Sequence, residues 1–141
     1  LPVGAIEQFG PHLPLDTQNR LLDVIARRVA ERLPNRVYLL PTLPIGCSAQ
    51  HQSFAGTVSL SWRTMLRVLG DLGQSLVATG VSRFVVLAGL GSVHCTTVMP
   101  WENEIVKTAV RRLNYDHPDL DTIWVQPLTV AQPSLTEIIC D

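Results

Sequence analysis

The chain predicts an α/β domain, a three-layer α/β/α sandwich around a mainly parallel sheet. Three observations predict it. Apolar runs of strand length alternate with segments of helical period, the helical segments run to about 15 residues, and Gly- and Pro-rich turns follow the strand-like runs. Right-handed crossovers of that kind put helices on both faces of a sheet. Ligands of such sheets gather outside the carboxyl ends of the strands. Residues 7–18, 47–53 and 89–94 should therefore converge on one edge.

Each element has its own signal. Residues 1–6 form a short apolar strand. Leu21, Leu22, Ile25, Val29 and Leu33 recur on one helical face, after a cap at Asp16 or Thr17 and before Pro34. Residues 37–40 predict a second strand, followed by a proline-broken loop, and residues 56–60 alternate as a short edge or hairpin strand. Ser61 is a good N-cap for a helix with Met65, Leu69, Leu72 and Leu76 inward, and Gly80 sits where such a helix ends. Residues 83–88, with the run Phe-Val-Val-Leu-Ala, are the clearest buried strand. A further helix carries Ile105, Ala109, Val110 and Leu113 and stops at His117-Pro118, and residues 122–125 form the last strand. Trp62 and Trp101 are expected to pack helices onto the sheet or onto another subunit.

With 141 residues, the chain reads as one domain, residues 1–141. It opens on Leu1 inside a strand-like run, and residues 135–141 carry no terminating element, so it reads as a domain truncated at both ends. Hydrophobic residues make up 46% and charged residues 16%, enough for a sizeable core. The formal net charge is −1, with no basic face, which argues against nucleic acid. No apolar run reaches the ~20 residues of a membrane span, and no signal peptide is visible. Cys47, Cys95 and Cys140 are odd in number and widely spaced, which suits small buried hydrophobes in a reducing, cytoplasmic setting.

Chemistry concentrates in the first turn, Glu7-Gln-Phe9-Gly-Pro-His12-Leu-Pro-Leu-Asp16-Thr-Gln18. His12 and His51 are the candidate catalytic groups, since imidazole titrates near neutrality. Each also has a structural reading: His12 as a hydrogen-bonding group that shapes its turn, His51 as a loop residue. Cys47 with His51, or Cys95 with His94, carries no spacing that marks a thiol nucleophile. Gly89-Leu-Gly91 lacks the third glycine of a dinucleotide turn.

These motifs resemble those of the creatininase family of metal-dependent amidohydrolases. Residues 7–18 are similar to its E-Q-H-G-P-H-L-P segment and following T-D pair. Residues 46–57 resemble its G-x-S-x-E-H-x-x-F-P-G-T loop, and residues 87–92 its N-G-H-G-G turn. The resemblance implies a creatininase-like sandwich, hexameric homo-oligomers, and two zinc or manganese ions. A water bridging such ions loses its proton near neutral pH and attacks the carbonyl of a cyclic amide or formamide.

Carried over residue by residue, that implied centre is depleted. Its first carboxylate is kept as Glu7. The histidine two positions on is Phe9, which offers no donor atom. The bridging aspartate aligns with Gln18, whose neutral amide cannot offset the repulsion of two dications. The histidine of the glycine-rich turn aligns with Leu90, and a nearby glutamate with Ser92. His94, four residues past Leu90, with Glu7, His12 and Asp16, would form a rebuilt single-ion site. The expectation is a family member with most metal ligands replaced and no cofactor, binding a small molecule or serving as an assembly subunit. The alternative is a metal-dependent amidohydrolase, loaded with Zn or Mn on a rebuilt site. The binding pocket expected in either case comprises Glu7, Phe9, His12, Asp16, Gln18, His51, Leu90, Ser92 and His94.

Overall fold

The computed structural model describes residues 1–89 and 101–127, with side chains for 1–89 and 105–127. Three parallel strands, β1 (Pro2–Val3), β2 (Arg83–Ala88) and β3 (Asp121–Val125), pair in chain order. Three helices, α1 (Thr17–Arg32), α2 (Trp62–Ala78) and α3 (Trp101–Asp116), connect and cover them.

β1 is shorter than the predicted run because its partner stops. β2 ends at Ala88, and Gly89 turns away with a positive φ. Beyond Val3 the chain stays extended but changes neighbours. Gly4 N–H donates to the Leu43 carbonyl, and the Ile6 carbonyl accepts from Val58 N–H. The residue 56–60 segment thus contributes one antiparallel bridge. The strand expected at residues 37–40 does not form. Pairing with β1 is confined to Leu43, and on the same side the preceding donor position is Pro41, which has no N–H to give.

The order Leu43–β1–β2–β3 explains the layers. The chain moves one way from β1 to Leu43, then the other way to β2 and β3. Right-handed crossovers therefore set α1 on one face and α2 with α3 on the other. Val3, Phe84, Val86 and Ala88 pack with Met65 and Leu69 of α2 and with Val106, Ala109, Val110 and Leu113 of α3 in one buried cluster. At Gly73 the two helices meet so closely that a Cβ would lie 2.3 Å from Leu113 Cδ2. On the α1 face, Val85 and its register partner Ile123 remain about half exposed.

α2 follows its caps. Ser61 Oγ accepts from Thr64 N–H at 3.2 Å, satisfying one of the helix's orphan donors. At the other end, Gly80 adopts φ 83° and donates to Val77, while Val81 donates to Leu76, a Schellman closure. α1 departs from its predicted stripe. Leu22 and Ala26 are buried, but Leu21, Val29 and Leu33 are exposed, because the narrow sheet supports only one flank of the helix. Trp62 is also exposed, so it does not pack onto the sheet, and Arg63 stacks its guanidinium 5.1 Å from the indole centroid. Trp101 lies among residues whose side chains are outside the described set. Among the described residues, no helix is long and apolar enough to cross a membrane.

β3 is held by a side chain as well as by its ladder. The Asn114 carboxamide of α3 accepts from Thr122 N–H at 2.8 Å and donates to the Thr122 carbonyl at 2.9 Å. Thr122 is 1% exposed, so loss of Asn114 strands two buried backbone groups. Asn114→Ala is expected to cost about 2–3 kcal/mol, read from urea denaturation, since an unpaired buried group costs about 1–3 kcal/mol. A loss below about 0.5 kcal/mol would show that water replaces the carboxamide.

Candidate functional site

The reversal of strand order at β1 opens a crevice at the carboxyl ends of β1 and β2, where sheets of this kind bind ligands. Close approach of backbone builds its floor. A Cβ on Gly46 would stand 2.7 Å from the Gly4 carbonyl oxygen, so only glycine lets the residue 46–53 loop lie against β1. Asn19, in the first turn of α1, donates to the Pro44 carbonyl and anchors that loop from the other side. At Gly56, with φ 86°, a Cβ would stand 2.4 Å from Leu15 Cδ1, which joins the first turn to the end of the second loop.

Two of the expected pocket residues are buried here. Glu7 is 5% exposed, its N–H bonded to the Leu15 carbonyl, and its Oε2 is buried without a hydrogen-bond partner. Gln18 is 4% exposed and lines a cavity of about 30 Å³ with Val3, Gly46, Cys47, Ala88 and Gly89. That volume holds one water. Phe9 is half-buried.

The remaining members are placed differently. His12 lies on the exposed part of the turn. The Asp16 carboxylate faces Arg20, bonded through both oxygens at 2.9 Å, and this pairing holds it below the usual carboxylate range. Asp16 occupies the N-cap position of α1, but its side chain makes no cap bond because Arg20 takes it. His51 ends a single 3₁₀ turn, Ala49–His51, and its Nδ1 accepts from Gln8 Nε2 at 3.4 Å. Leu90, Ser92 and His94 lie outside the described residues. Among the described residues, no group of three or more His, Cys, Asp and Glu could hold a metal ion. Glu7, His12 and Asp16 therefore form no such group.

Gln8 and Asn19 join the site without having been singled out in the sequence. Gln8 Oε1 accepts from Gly10 N–H at 2.9 Å while its amide nitrogen reaches His51, so one side chain ties the first turn to the second loop. Their only sequence signal was a carboxamide near each end of the residue 7–18 segment. Of the six buried side-chain atoms without a partner among the described residues, three belong to these motif segments, Glu7 Oε2, Ser48 Oγ and Thr57 Oγ1, and a fourth, Asn19 Oδ1, directly follows the first segment. Such groups need water, an ion or a ligand.

The family model Creatininase, described as creatinine amidohydrolase, matches residues 1–137. The mycofactocin precursor peptide peptidase of Mycobacterium ulcerans (strain Agy99) is 35% identical over 126 residues, covering 84% of this chain and 46% of that protein. The creatinine amidohydrolase of Pseudomonas putida is 35% identical over 94 residues, covering 63% of this chain and 35% of that protein. Among solved structures, a creatinine amidohydrolase (creatininase) superposes with a TM-score of 0.73 at 28% identity, over 96% of this chain and 52% of that one. A structure described as "Creatininase Mn" gives 0.74 at 26% identity, over 96% and 53%. The chain spans about half the length of the first curated relatives it matches. On the match across residues 1–137 and the shared fold, the chain belongs to the creatininase family.

Proposed function

We propose that this chain is a creatininase-family domain whose two-ion centre has been dismantled, and that its strand edge binds a small molecule without hydrolysing it. The observation that carries this reading is Gln18, buried at the crevice where the family resemblance implies a bridging carboxylate. Two dications held close together need anionic ligands between them, and a neutral amide supplies none. Phe9 removes a second donor, and no donor group of three stands among the described residues. A zinc or manganese pair of the kind implied by a relative described as Zn–Zn type and another as Mn does not fit this donor set.

Assembly into a homo-oligomer belongs to the same reading. The apolar side chains of Val29, Leu33 and Tyr38 stand exposed on and beyond α1, as a subunit contact would require.

A second reading, a metal-dependent amidohydrolase with a rebuilt site, is favoured by one feature. Glu7 keeps a buried carboxylate oxygen without a partner, which a single cation could satisfy. Its relatives are named as a peptidase and as an amidohydrolase, which is the activity this reading would carry over.

Elemental analysis of protein purified without chelators separates the two. Less than about a tenth of a zinc or manganese ion per subunit is the expected result. Near-stoichiometric metal would transfer the conclusion to the hydrolase and direct assays to amide and formamide substrates.

A further inference from the structure

Beside the strand edge lies a second and larger hollow. It is a cleft of about 950 Å³ between the residue 47–52 loop, the start of α2 and the side of α3. Cys47 and Ile105 form its common wall with the small cavity that Gln18 lines. Leu60, Trp62, Leu66 and Ile105 supply the apolar surface, and Gln52 and Thr108 stand at the cleft as polar groups. None of the described side chains that line it carries a charge, and the nearest described cation to the ring wall is the Arg63 guanidinium, 5.1 Å from the Trp62 indole centroid. The indole of Trp62 is about half exposed here. A mostly apolar concavity of this size with a few uncharged polar groups is the usual character of a small-molecule site.

We propose that this cleft binds an uncharged aromatic ligand bearing an amide-like hydrogen-bonding group. A flat ring suits the Trp62, Leu60 and Ile105 walls, since aromatic pairs gain beyond the area they bury. Uncharged donors and acceptors at Gln52 and Thr108 match an amide. An ammonium would lose its hydration and find no counter-charge in the lining, and a carboxylate would find only the Arg63 guanidinium, which the Trp62 ring already engages. The inference rests on the small-molecule reading of this chain and names the ligand class and the place it sits.

The test uses three ligands of one ring system: indole-3-acetamide, indole-3-acetate and tryptamine, which are neutral, anionic and cationic. Each is titrated by NMR into the full chain with a chelator present, following the Trp62 indole N–H assigned through Trp62→Phe. Indole-3-acetamide is expected to bind at least about tenfold more tightly than either charged analogue. Thr108→Trp, which fills the cleft from an exposed helical position, should weaken it by at least about tenfold. Thr108→Arg should do the same, which guards against a fold defect in either variant.

Equal binding of all three ligands, or unchanged affinity in both Thr108 variants, overturns the inference. So does tighter binding of tryptamine that Glu7→Gln abolishes, although that result would keep a small-molecule site at the strand edge. A concentration-dependent dimer that both Thr108 variants disrupt, with no indole binding, would make the cleft a contact between copies of this chain and also overturn it. Near-stoichiometric metal in the separate elemental analysis would defeat the proposed function while leaving the cleft result intact.

Discussion

Leu69→Ala is expected to lower the stability of the domain by about 3–5 kcal/mol, the upper part of the range for leucine truncation in a core. Leu69 is fully buried, at 0% exposure, at the centre of the α2 face that packs against β2 and α3. Two features keep the resulting cavity from closing. One turn further along α2, Gly73 and Leu113 are already in contact range, so the helices cannot approach further. The caps at Ser61 and Gly80 fix both ends of α2 and oppose a slide along its axis. A domain of this size has roughly 5–15 kcal/mol in total, so the variant should unfold at markedly lower urea with little change in slope. A loss under about 1 kcal/mol would mean that α2 is less firmly seated than its burial indicates.

The other large effect concerns the depleted donor set. Restoring Phe9→His, Gln18→Asp and Leu90→His together is expected to raise zinc affinity by at least about 100-fold. Even an outer partner of a metal ligand is worth about 10–100-fold in affinity, and these changes supply the ligands themselves. The described positions favour the gain. Gln18 is buried at the crevice, Phe9 is half-buried in the same turn, and Glu7 offers an unpartnered oxygen. Each single variant should gain far less, because one added ligand leaves the site short of the three or four that a divalent ion takes. Competition against a chromophoric zinc chelator measures the parent and all four variants. A triple variant that binds no more zinc than the parent would show that the implied alignment of the site is wrong.

Legibility in the sequence followed how local the deciding physics was. Ser61 and Gly80 marked the ends of α2 because capping depends on a few neighbouring residues. β2 was legible as a strand because its apolar run needs no distant partner to read as one, but only one of its faces is buried, with Val85 about half exposed on the other. The outward turn of Val29 and Leu33 was not, since a helical stripe is buried only as far as the sheet beneath it extends. The strand expected at residues 37–40 failed for a related reason. Its valine and leucines fit a strand, but the donor next to Leu43 on the β1 side is removed by Pro41. In the site, the burial of Glu7 and Gln18 followed from their place in the motif. The surface pairing of Asp16 with Arg20 is a competition that residue types alone do not decide. The bridge from Gln8 to His51 spans 43 residues, a separation at which spacing carries no signal.

Asn114 has a consequence for association between molecules. Among the described residues β3 is the outermost strand, and such a strand offers a row of unused donors and acceptors where a further strand can dock. The Thr122 N–H and C=O are one rung of that row, and the Asn114 carboxamide occupies both. It imitates the amide of an incoming strand while being tethered to a helix that cannot extend the sheet. Any strand added at β3 would have to displace this plug or begin beyond it, at Trp124. The side chain that steadies the fold thus also closes one rung of β3 to any added strand.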